Sequence, residues 1–376
     1  MSGVVPAASG NAGRARAGVR LERVELFDMR AIERAALEPA AEGTTVITGP
    51  NGSGKTTILE AVAYLGTQRS FRTSQREAMV RVGSEAAIVR GTLTDEGRPV
   101  VVESEIRADG PARTLLNRQR PRSRSDLAAA VPVTVFSPDD PAIVRGAPAR
   151  RREVLDEALR IVDHKVGALL DEMERVLRQR AALLRQAGGR LTADVSSSLD
   201  VWDERLARAG EVIARARAQL VEELCPDVAS AYAAFAGGPA TVSIAYRRSW
   251  HGDLREELAA HRADDVRRGV TTVGPQRDDV DLVLDGRDTR VQVSQGEQRS
   301  MALALRLAVH RLVTAHTGAA PILLLDDVFS ELDAARSRAL LHHLPAGQAL
   351  LTTAMALPDD VEVARVVDVQ TLRAAS

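Results

Sequence analysis

The sequence predicts an α/β fold in which buried parallel strands carry a long helical insertion. Residues 44–65 have the pattern of a short β-branched strand, a glycine loop and a helix with apolar residues at helical spacing. A continuous apolar run at residues 321–325 ends in two aspartates, as expected of a buried parallel strand at the carboxyl edge of a sheet. Between them, residues 155–224 keep apolar positions three to four residues apart among charged ones, which predicts long amphipathic helices.

The glycine loop Gly49–Thr56 matches the phosphate-binding pattern G-x-x-x-x-G-K-[ST] in full. A strand that leads through glycines into a helix lets backbone N–H groups surround a polyphosphate, and the helix dipole favours the negative charge. Lys55 would reach the outer phosphates and the Thr56 hydroxyl would bind Mg²⁺. The alternative is a chance match to a glycine–serine turn. The predicted binding residues are Gly49, Pro50, Asn51, Gly52, Ser53, Gly54, Lys55, Thr56 and Thr57.

The two acids after the apolar run, Asp326 and Asp327, are the predicted catalytic partners of Lys55. Asp326 would complete the Mg²⁺ site with Thr56, and Asp327 would orient or polarise the attacking water. Taken alone, two adjacent acids after a strand can also form a simple turn.

A third segment precedes a helix with one apolar face, and it comprises Ser294, Gln295, Gly296, Glu297 and Gln298. Ser294 and Glu297 have the spacing of a capping box, which by itself explains both residues. Alternatively, Gly296 and the free N–H groups of the first helical turn hold a second phosphate. The residues alone leave both interpretations open, but the three segments in this order are more specific than any one of them.

The chain divides by composition into a disordered extension at residues 1–18, an α/β domain at 19–149 and 270–376, and a helical lobe at 150–269. In the α/β domain, alternation over Arg20–Leu26 predicts an edge strand, and Ala349–Thr353 is the strand expected to close the sheet. In the helical lobe, two long helices with a short connection are expected to pair antiparallel.

Net charge and composition argue against a protein that spans a membrane and against one that binds nucleic acid over its whole surface. The net charge is −1, so binding to nucleic acid requires a local basic patch. Cys225 is the single cysteine and no apolar run is long enough to span a membrane, which predicts a cytoplasmic protein without membrane contact. Two arginine clusters are candidate contacts to DNA phosphates, although a solvated surface explains them equally simply. The clusters are Arg113–Arg124, which also contains Arg122 and Arg124, and Arg150–Arg152; the candidates named within them are Arg113, Arg118, Arg120, Arg150, Arg151 and Arg152.

Together the motifs resemble those of ATPases with the ABC-type fold. Within that class, the sequences of the motifs resemble the RecF family of bacterial DNA replication and repair proteins. The segments that carry this resemblance are residues 49–52, 69–73, 136–140, 200–204, 274–279, 294–299 and 325–333. Two departures are Met29–Ile32, which keeps only Arg30 of a usual Phe-Arg-Asn-Tyr, and Gln276 in place of a usual histidine.

The resemblance implies that ATP and Mg²⁺ are the cofactors and that ATP drives formation of a homodimer. The signature segment Ser294–Gln298 would contact the nucleotide of the opposite protomer, beside a D-loop that contains Ser330 and Asp333. Such proteins are slow ATPases that act on double-stranded and gapped DNA, at junctions of single-strand gaps with duplex and at stalled forks. They help to load RecA together with RecO and RecR.

Other ABC-type ATPases are the alternatives. A clamp of the SMC type would need hundreds of coiled-coil residues where this chain has about 120 helical ones. A transporter subunit usually carries a histidine on the strand after the acids, where this chain has Thr352 and Thr353. A kinase or GTPase with a P-loop would lack the serine–glycine helix start.

Overall fold

The computed structural model describes residues 18–236, 238, 240–331, 334–344, 346–354 and 363–374. The strands are β1 (Arg20–Met29), β2 (Ile32–Leu37), β3 (Gly43–Thr48), β4 (Ala86–Asp95), β5 (Arg98–Arg107), β6 (Arg113–Leu116), β7 (Val133–Phe136), β8 (Val242–Arg247), β9 (Asp279–Leu284), β10 (Arg287–Asp288), β11 (Ile322–Asp326), β12 (Gln348–Thr353) and β13 (Arg365–Asp368). The helices are α1 (Lys55–Thr67), α2 (Arg124–Ala130), α3 (Pro141–Arg145), α4 (Pro148–Val162), α5 (His164–Gln186), α6 (Ala193–Ala236), α7 (Leu254–Ala260), α8 (Arg262–Arg268), α9 (Gln295–Thr317), α10 (Ala334–His343) and α11 (Val369–Ala374). Across these ranges, no helix has the length and apolarity that crossing a bilayer requires.

A parallel sheet with the order β13-β3-β12-β11-β7 forms the middle layer of the molecule. The prediction that Ala349–Thr353 closes this sheet is wrong, because β12 lies at its centre between β3 and β11. Its six residues are all buried, as both faces of a central strand require. The two edges are formed by β7 and by β13, whose Val366 is exposed.

A second, antiparallel sheet has the order β2-β1-β4-β5-β6. The prediction of an edge strand at Arg20–Leu26 is also wrong, since β1 pairs with β2 on one side and with β4 on the other. Alternation in β1 marks a sheet with one solvated face: Leu21, Val24 and Leu26 are buried, while Arg23 forms ion pairs at the surface.

The alternation of side chains along β11 divides the hydrophobic core into two parts. Ile322 and Leu324 pack with α1 and the antiparallel sheet. Leu323 and Leu325 face the opposite way and pack in one cluster with residues of α4, α5, α6 and α9. The parallel sheet therefore holds the P-loop helix on one face and the helical part of the chain on the other.

The helical part contains one more break than predicted. A single helix was expected across residues 155–184, but α4 ends at Val162 and α5 begins at His164. Asp163 explains the break, because its carboxylate accepts hydrogen bonds from the N–H groups of Lys165 (2.8 Å) and Val166 (3.0 Å) and so caps α5. The predicted antiparallel pairing is confirmed for α5 and α6, because Leu184, near the end of α5, packs with Leu199, near the start of α6, and Arg180 pairs with Asp203 farther along.

Buried ion pairs join α5, α6 and α8. The Arg180 guanidinium, fully buried, donates to Asp203 at 2.8 Å and to Asp265 at 2.6 Å. Arg262 donates to the second oxygen of Asp203 at 2.8 Å. Leaving one such charge unpaired would cost about 3–5 kcal/mol of folding stability. The Asp200–Glu204 segment, which resembles the RecF family, therefore has a structural role here.

The predicted boundary between residues 269 and 270 runs through a small sheet with the order β10-β9-β8. Strand β8 precedes the boundary and pairs along its length with β9, which follows it. The division into an α/β domain and a helical lobe remains a prediction. The two parts contribute strands to the same small sheet and side chains to the same hydrophobic cluster. Residues 1–17 of the predicted disordered extension lie outside the described residues.

Stability at acid pH is expected to depend on His310, which is buried between α9 and β7 and contacts the Thr134 hydroxyl at 3.1 Å. Burial lowers the pKa of His310 from its ordinary value of 6.5 to about 4. The unfolded chain therefore binds an extra proton between these values, and stability falls as the pH drops from 6.5 to 4 by about 3 kcal/mol. In urea unfolding, a His310→Gln variant should show a shallower pH dependence by that amount. Parallel curves for the two proteins would contradict this assignment.

Candidate nucleotide-binding site

The P-loop connects the end of β3 to the start of α1, and its backbone requires glycine. Gly49, Gly52 and Gly54 have φ values of 145°, 77° and 103°, a region that other residues rarely adopt. A Cβ atom on Gly49 would lie 2.7 Å from Val369, and one on Gly54 would lie 3.0 Å from the Ile32 side chain. The loop is therefore tightly fitted against β2 and α11 on its inner side.

Lys55 bends back over this loop. Its ammonium donates hydrogen bonds to the carbonyl oxygens of Gly49 at 2.7 Å and Pro50 at 2.9 Å, and the side chain is 7% exposed. The positive charge is thus held within the curve of the loop without a carboxylate partner in these bonds. An anion that enters the loop would meet it directly.

The start of α1 has the features of an anion site. No side chain caps this helix, and the first N–H groups of any helix have no partner within it. The Ser53 hydroxyl is buried and finds no hydrogen-bond partner in the described part of the chain. Uncapped N–H groups beside a buried, unsatisfied hydroxyl fit the oxygens of a polyphosphate.

The two acids meet the P-loop through threonine hydroxyls. Thr56 Oγ1 donates to Asp326 Oδ1 at 2.8 Å, and Thr352 Oγ1 on the neighbouring strand β12 donates to the same oxygen at 2.8 Å. Burial raises the pKa of Asp326, against the opposing effect of these two hydrogen bonds. A hydroxyl and a carboxylate in contact at the edge of a sheet are the donor set that Mg²⁺ takes beside phosphates.

Asp327 has an unusual backbone, with φ at 45°. Its N–H donates to both the carbonyl oxygen (3.1 Å) and the hydroxyl (3.0 Å) of Thr352. Its Oδ1 atom is buried and has no hydrogen-bond partner among the described residues. Thr352 therefore fixes both acids, a role that no local pattern reveals, because its partners lie 25 and 26 positions away.

Glu60 of α1 is a second residue that no sequence pattern reveals. It is fully buried, and the guanidinium of Arg30 donates to it at 2.5 and 2.6 Å. The Ser70 hydroxyl also donates to Glu60. Arg30, which follows β1, and Ser70, which follows α1, thus anchor their segments to the P-loop helix.

The signature segment forms the predicted capping box at the start of α9. Ser294 Oγ accepts a hydrogen bond from the Glu297 N–H at 3.3 Å, and Glu297 accepts one from the Ser294 N–H at 2.6 Å. The bonds from Ser294, with a further bond from Arg287 at 2.9 Å, lower the pKa of Glu297 to about 2. The box uses only a lone pair of Ser294 Oγ, which leaves its proton and the first two helical N–H groups to meet an anion.

The surroundings of the signature segment are partly structural. Gln298 is 7% exposed and donates to the Thr289 carbonyl at 3.0 Å, so its side chain supports the preceding loop. The Arg336 guanidinium lies 3.5–3.8 Å from the position of a Cβ atom on Gly296, which adds positive charge at the tip. In the D-loop, Ser330 Oγ donates to the Asp327 carbonyl at 2.8 Å, whereas Asp333 lies outside the described residues.

The arginine candidates for DNA contact separate into exposed and buried residues. Arg113, Arg118 and Arg120 are exposed near β6, and the side chain of Arg150 is 55% exposed.

Arg151 must be withdrawn from the candidates. It is 2% exposed, pairs with Asp279 at 2.8 Å and donates to three backbone carbonyls, so no phosphate can reach it. Arg152 is half-buried and donates to the Asp278 carbonyl at 2.5 Å. The charge of both residues at the start of α4 is thus explained by contacts with the Asp278–Asp279 segment.

The chain is similar in sequence to known proteins. The model of the RecF/RecN/SMC N-terminal domain family matches residues 20–354. The DNA replication and repair protein RecF of Acidothermus cellulolyticus is 39% identical over 358 residues, which cover 92% of this chain and 96% of that protein. The chain belongs to the RecF family. A RecF relative of Frankia alni is 40% identical over 357 residues, 90% of this chain and 94% of its own.

The solved structures agree with RecF-family membership. The structure of the recombination mediator protein RecF with ATP, in the RecFOR pathway, is 28% identical, covers 94% of this chain and 96% of its own, and superposes with a TM-score of 0.82. The RecF-family chain therefore has the ABC-type ATPase fold predicted from its motifs.

Proposed function

We propose that this RecF-family chain is an ATP-dependent DNA-binding protein of recombinational repair, which forms a dimer when it binds ATP and dissociates after slow hydrolysis. The observation that carries the proposal is the contact between Thr56 and Asp326, which joins the P-loop helix to the acidic end of β11. Its relatives include a DNA replication and repair protein and a recombination mediator solved with ATP, which supports the same nucleotide here.

The residues of the P-loop would bind the triphosphate by exchanging partners. Lys55 would release the carbonyls of Gly49 and Pro50 and donate instead to the outer phosphates. The Ser53 hydroxyl, now without a partner in the described chain, would gain one. Because these groups already surround the loop, little rearrangement opposes binding.

The acidic end of β11 would carry out hydrolysis. Mg²⁺ held by Thr56 and Asp326 would neutralise the charge that develops on the phosphates. Asp327, whose free Oδ1 is held in place through Thr352, would orient the attacking water. A carboxylate that only orients water is consistent with a slow enzyme.

The signature tip would complete the site of a second protomer. Ser294, Gln295 and Gly296 present a hydroxyl and helix N–H groups, and within the described residues the hydrogen bonds of Ser294 and Glu297 stay inside the capping box and its neighbours Gln298 and Arg287. Such a tip can bind an anion that comes from outside its own helix. The γ-phosphate held by the other protomer would supply it, so that ATP holds the dimer together.

The proposed biological setting follows from the family. The dimer would grip DNA where single-strand gaps meet duplex, in the cytoplasm, and act with RecO and RecR to load RecA at gaps and stalled forks. Hydrolysis would time release from DNA and change no bond in it. Light scattering with and without ATP, followed by DNA titration, tests this proposal: nucleotide-independent oligomers without DNA affinity would contradict it.

Replacement of Asp326 by asparagine is expected to slow Mg²⁺-dependent hydrolysis roughly a hundredfold, because the neutral amide no longer offsets the charge of the metal. Steady-state phosphate release measures the effect. The control is Asp368→Asn, an exposed acid at the end of β13 on the same sheet edge, which should hydrolyse ATP at the normal rate. Equal rates for the two variants would show that the Thr56–Asp326 contact has no part in catalysis.

A further inference from the structure

A groove of about 1130 Å³ lies between the segment that follows α1 and the helical part of the chain. One wall is formed by residues 68–79, the opposite wall by the start of α4 and the middle of α5, and the end by Arg122 and Arg124. Its described lining includes no residue of the P-loop, the signature segment or the acidic end of β11. The groove therefore lies outside these three segments, although the charge of Arg72 in its lining acts on Asp326.

The charge of this groove is strongly positive. Its lining contains eight arginines and three carboxylates, a net charge of +5, in a chain whose total net charge is −1. A local field of this sign attracts polyanions although the whole molecule does not. The groove is thus the kind of local patch that the overall charge demands of a nucleic-acid-binding protein.

Three of these arginines have no ion-pair partner in the part of the chain that the structure describes. They are Arg76, Arg122 and Arg178, all exposed, one on each side of the groove. The other five share nearby carboxylates, as Arg69 does with Glu153 at 3.0 Å. Three uncompensated guanidinium groups that face one groove remain to bind phosphate oxygens.

The wall formed by residues 68–79 is held in a defined shape. Ser70 Oγ accepts hydrogen bonds from the N–H groups of Arg72 (3.0 Å) and Thr73 (3.1 Å) and donates to the buried Glu60. Phe71 packs against the core beneath the sheet. The family-like segment Arg69–Thr73 therefore has a fixed backbone, from which Arg69, Arg72 and the nearby Arg76 project.

The described lining of the groove has no exposed aromatic side chain on which bases could stack. Tyr64 is the aromatic residue in its described lining, and this side chain is 2% exposed. Sites for single strands combine basic residues with exposed aromatic side chains, and this groove has only the first. Arginine contacts without stacking suit the phosphate backbone of a duplex.

We infer that this groove binds the phosphate backbone of duplex DNA, an assignment that rests on the proposed function and names the surface that performs it. Gln68 in the groove accepts a hydrogen bond from Thr114 of β6 at 2.6 Å, so β6 lies next to the groove.

The test is the triple variant Arg76→Ala/Arg122→Ala/Arg178→Ala, titrated in the presence of ATP with a labelled duplex and with its single strand at several salt concentrations. Each lost phosphate contact lowers the salt slope by about 1, so the triple variant should lose about 2–3 in slope and about tenfold or more in duplex affinity. The matched control removes three exposed arginines elsewhere, Arg208, Arg215 and Arg268, and should keep the slope.

The possible outcomes distinguish a failure of the groove assignment from a failure of the proposed function. Wild-type affinity and slope in the groove variant, while the wild-type chain binds duplex, would overturn the groove and leave the proposed function standing. A wild-type chain that binds no DNA would overturn both. Loss confined to single-stranded DNA would overturn the duplex assignment. Normal ATP-dependent association of the groove variant shows that it folds.

Discussion

Replacement of Lys55 by methionine is expected to abolish ATP binding and, with it, dimer formation. The ammonium lies inside the P-loop curve, where it is nearly buried on the carbonyls of Gly49 and Pro50. Loss of a buried, hydrogen-bonded charge contact typically costs about 2–5 kcal/mol, which corresponds to a loss of roughly 30-fold or more in affinity. Isothermal titration with a non-hydrolysable analogue measures the loss.

The chain supplies its own control for this variant. Lys165, the only other lysine, is exposed at the start of α5. A Lys165→Met variant undergoes the same chemical change and should bind ATP and dimerise normally. Unchanged ATP affinity in Lys55→Met would refute the role of the P-loop.

Replacement of Ser294 by arginine is expected to leave ATP binding intact and to prevent dimer formation. The P-loop of the variant is unaltered, but a long cationic side chain at the start of α9 would fill the space that the opposite nucleotide must occupy. Loss of the N-cap costs about 1 kcal/mol of stability, too little to unfold the chain. Titration and light scattering on the same sample separate the two properties.

Ser123 provides the matched control, because it caps α2 in the same kind of capping box, with Asp126 at the third helical position. A Ser123→Arg variant should lose similar stability and still dimerise. Mixing Lys55→Met with Ser294→Arg gives a further test, since the mixed pair contains one P-loop and one signature tip that are both intact. ATP-dependent association between these two variants would support contact across protomers, and a Ser294→Arg variant that dimerises by itself would contradict it.

The elements that the sequence predicted correctly are those with local patterns. The P-loop, the apolar strand β11 and the capping box of α9 each consist of neighbouring residues whose spacing determines their backbone. The same holds for the sequence order of strand, helix and strand that places Thr56 and Asp326 at one edge of the sheet.

The features that the sequence did not reveal depend on distant partners. The order of strands around β12 and the pairing of β1 on both sides are set by packing between remote segments. Arg151 resembles a surface cation in a run of three arginines, and only the fold brings it to Asp279, 128 residues away. Glu60 and Thr352 were missed for the same reason.

A crystal structure of the chain with Mg²⁺ and a non-hydrolysable ATP analogue would test the contact between protomers directly. We expect a dimer in which Ser294 of one protomer hydrogen-bonds to the γ-phosphate held by Lys55 and Thr56 of the other. A structure in which Ser294 is far from every nucleotide of the assembly would contradict it.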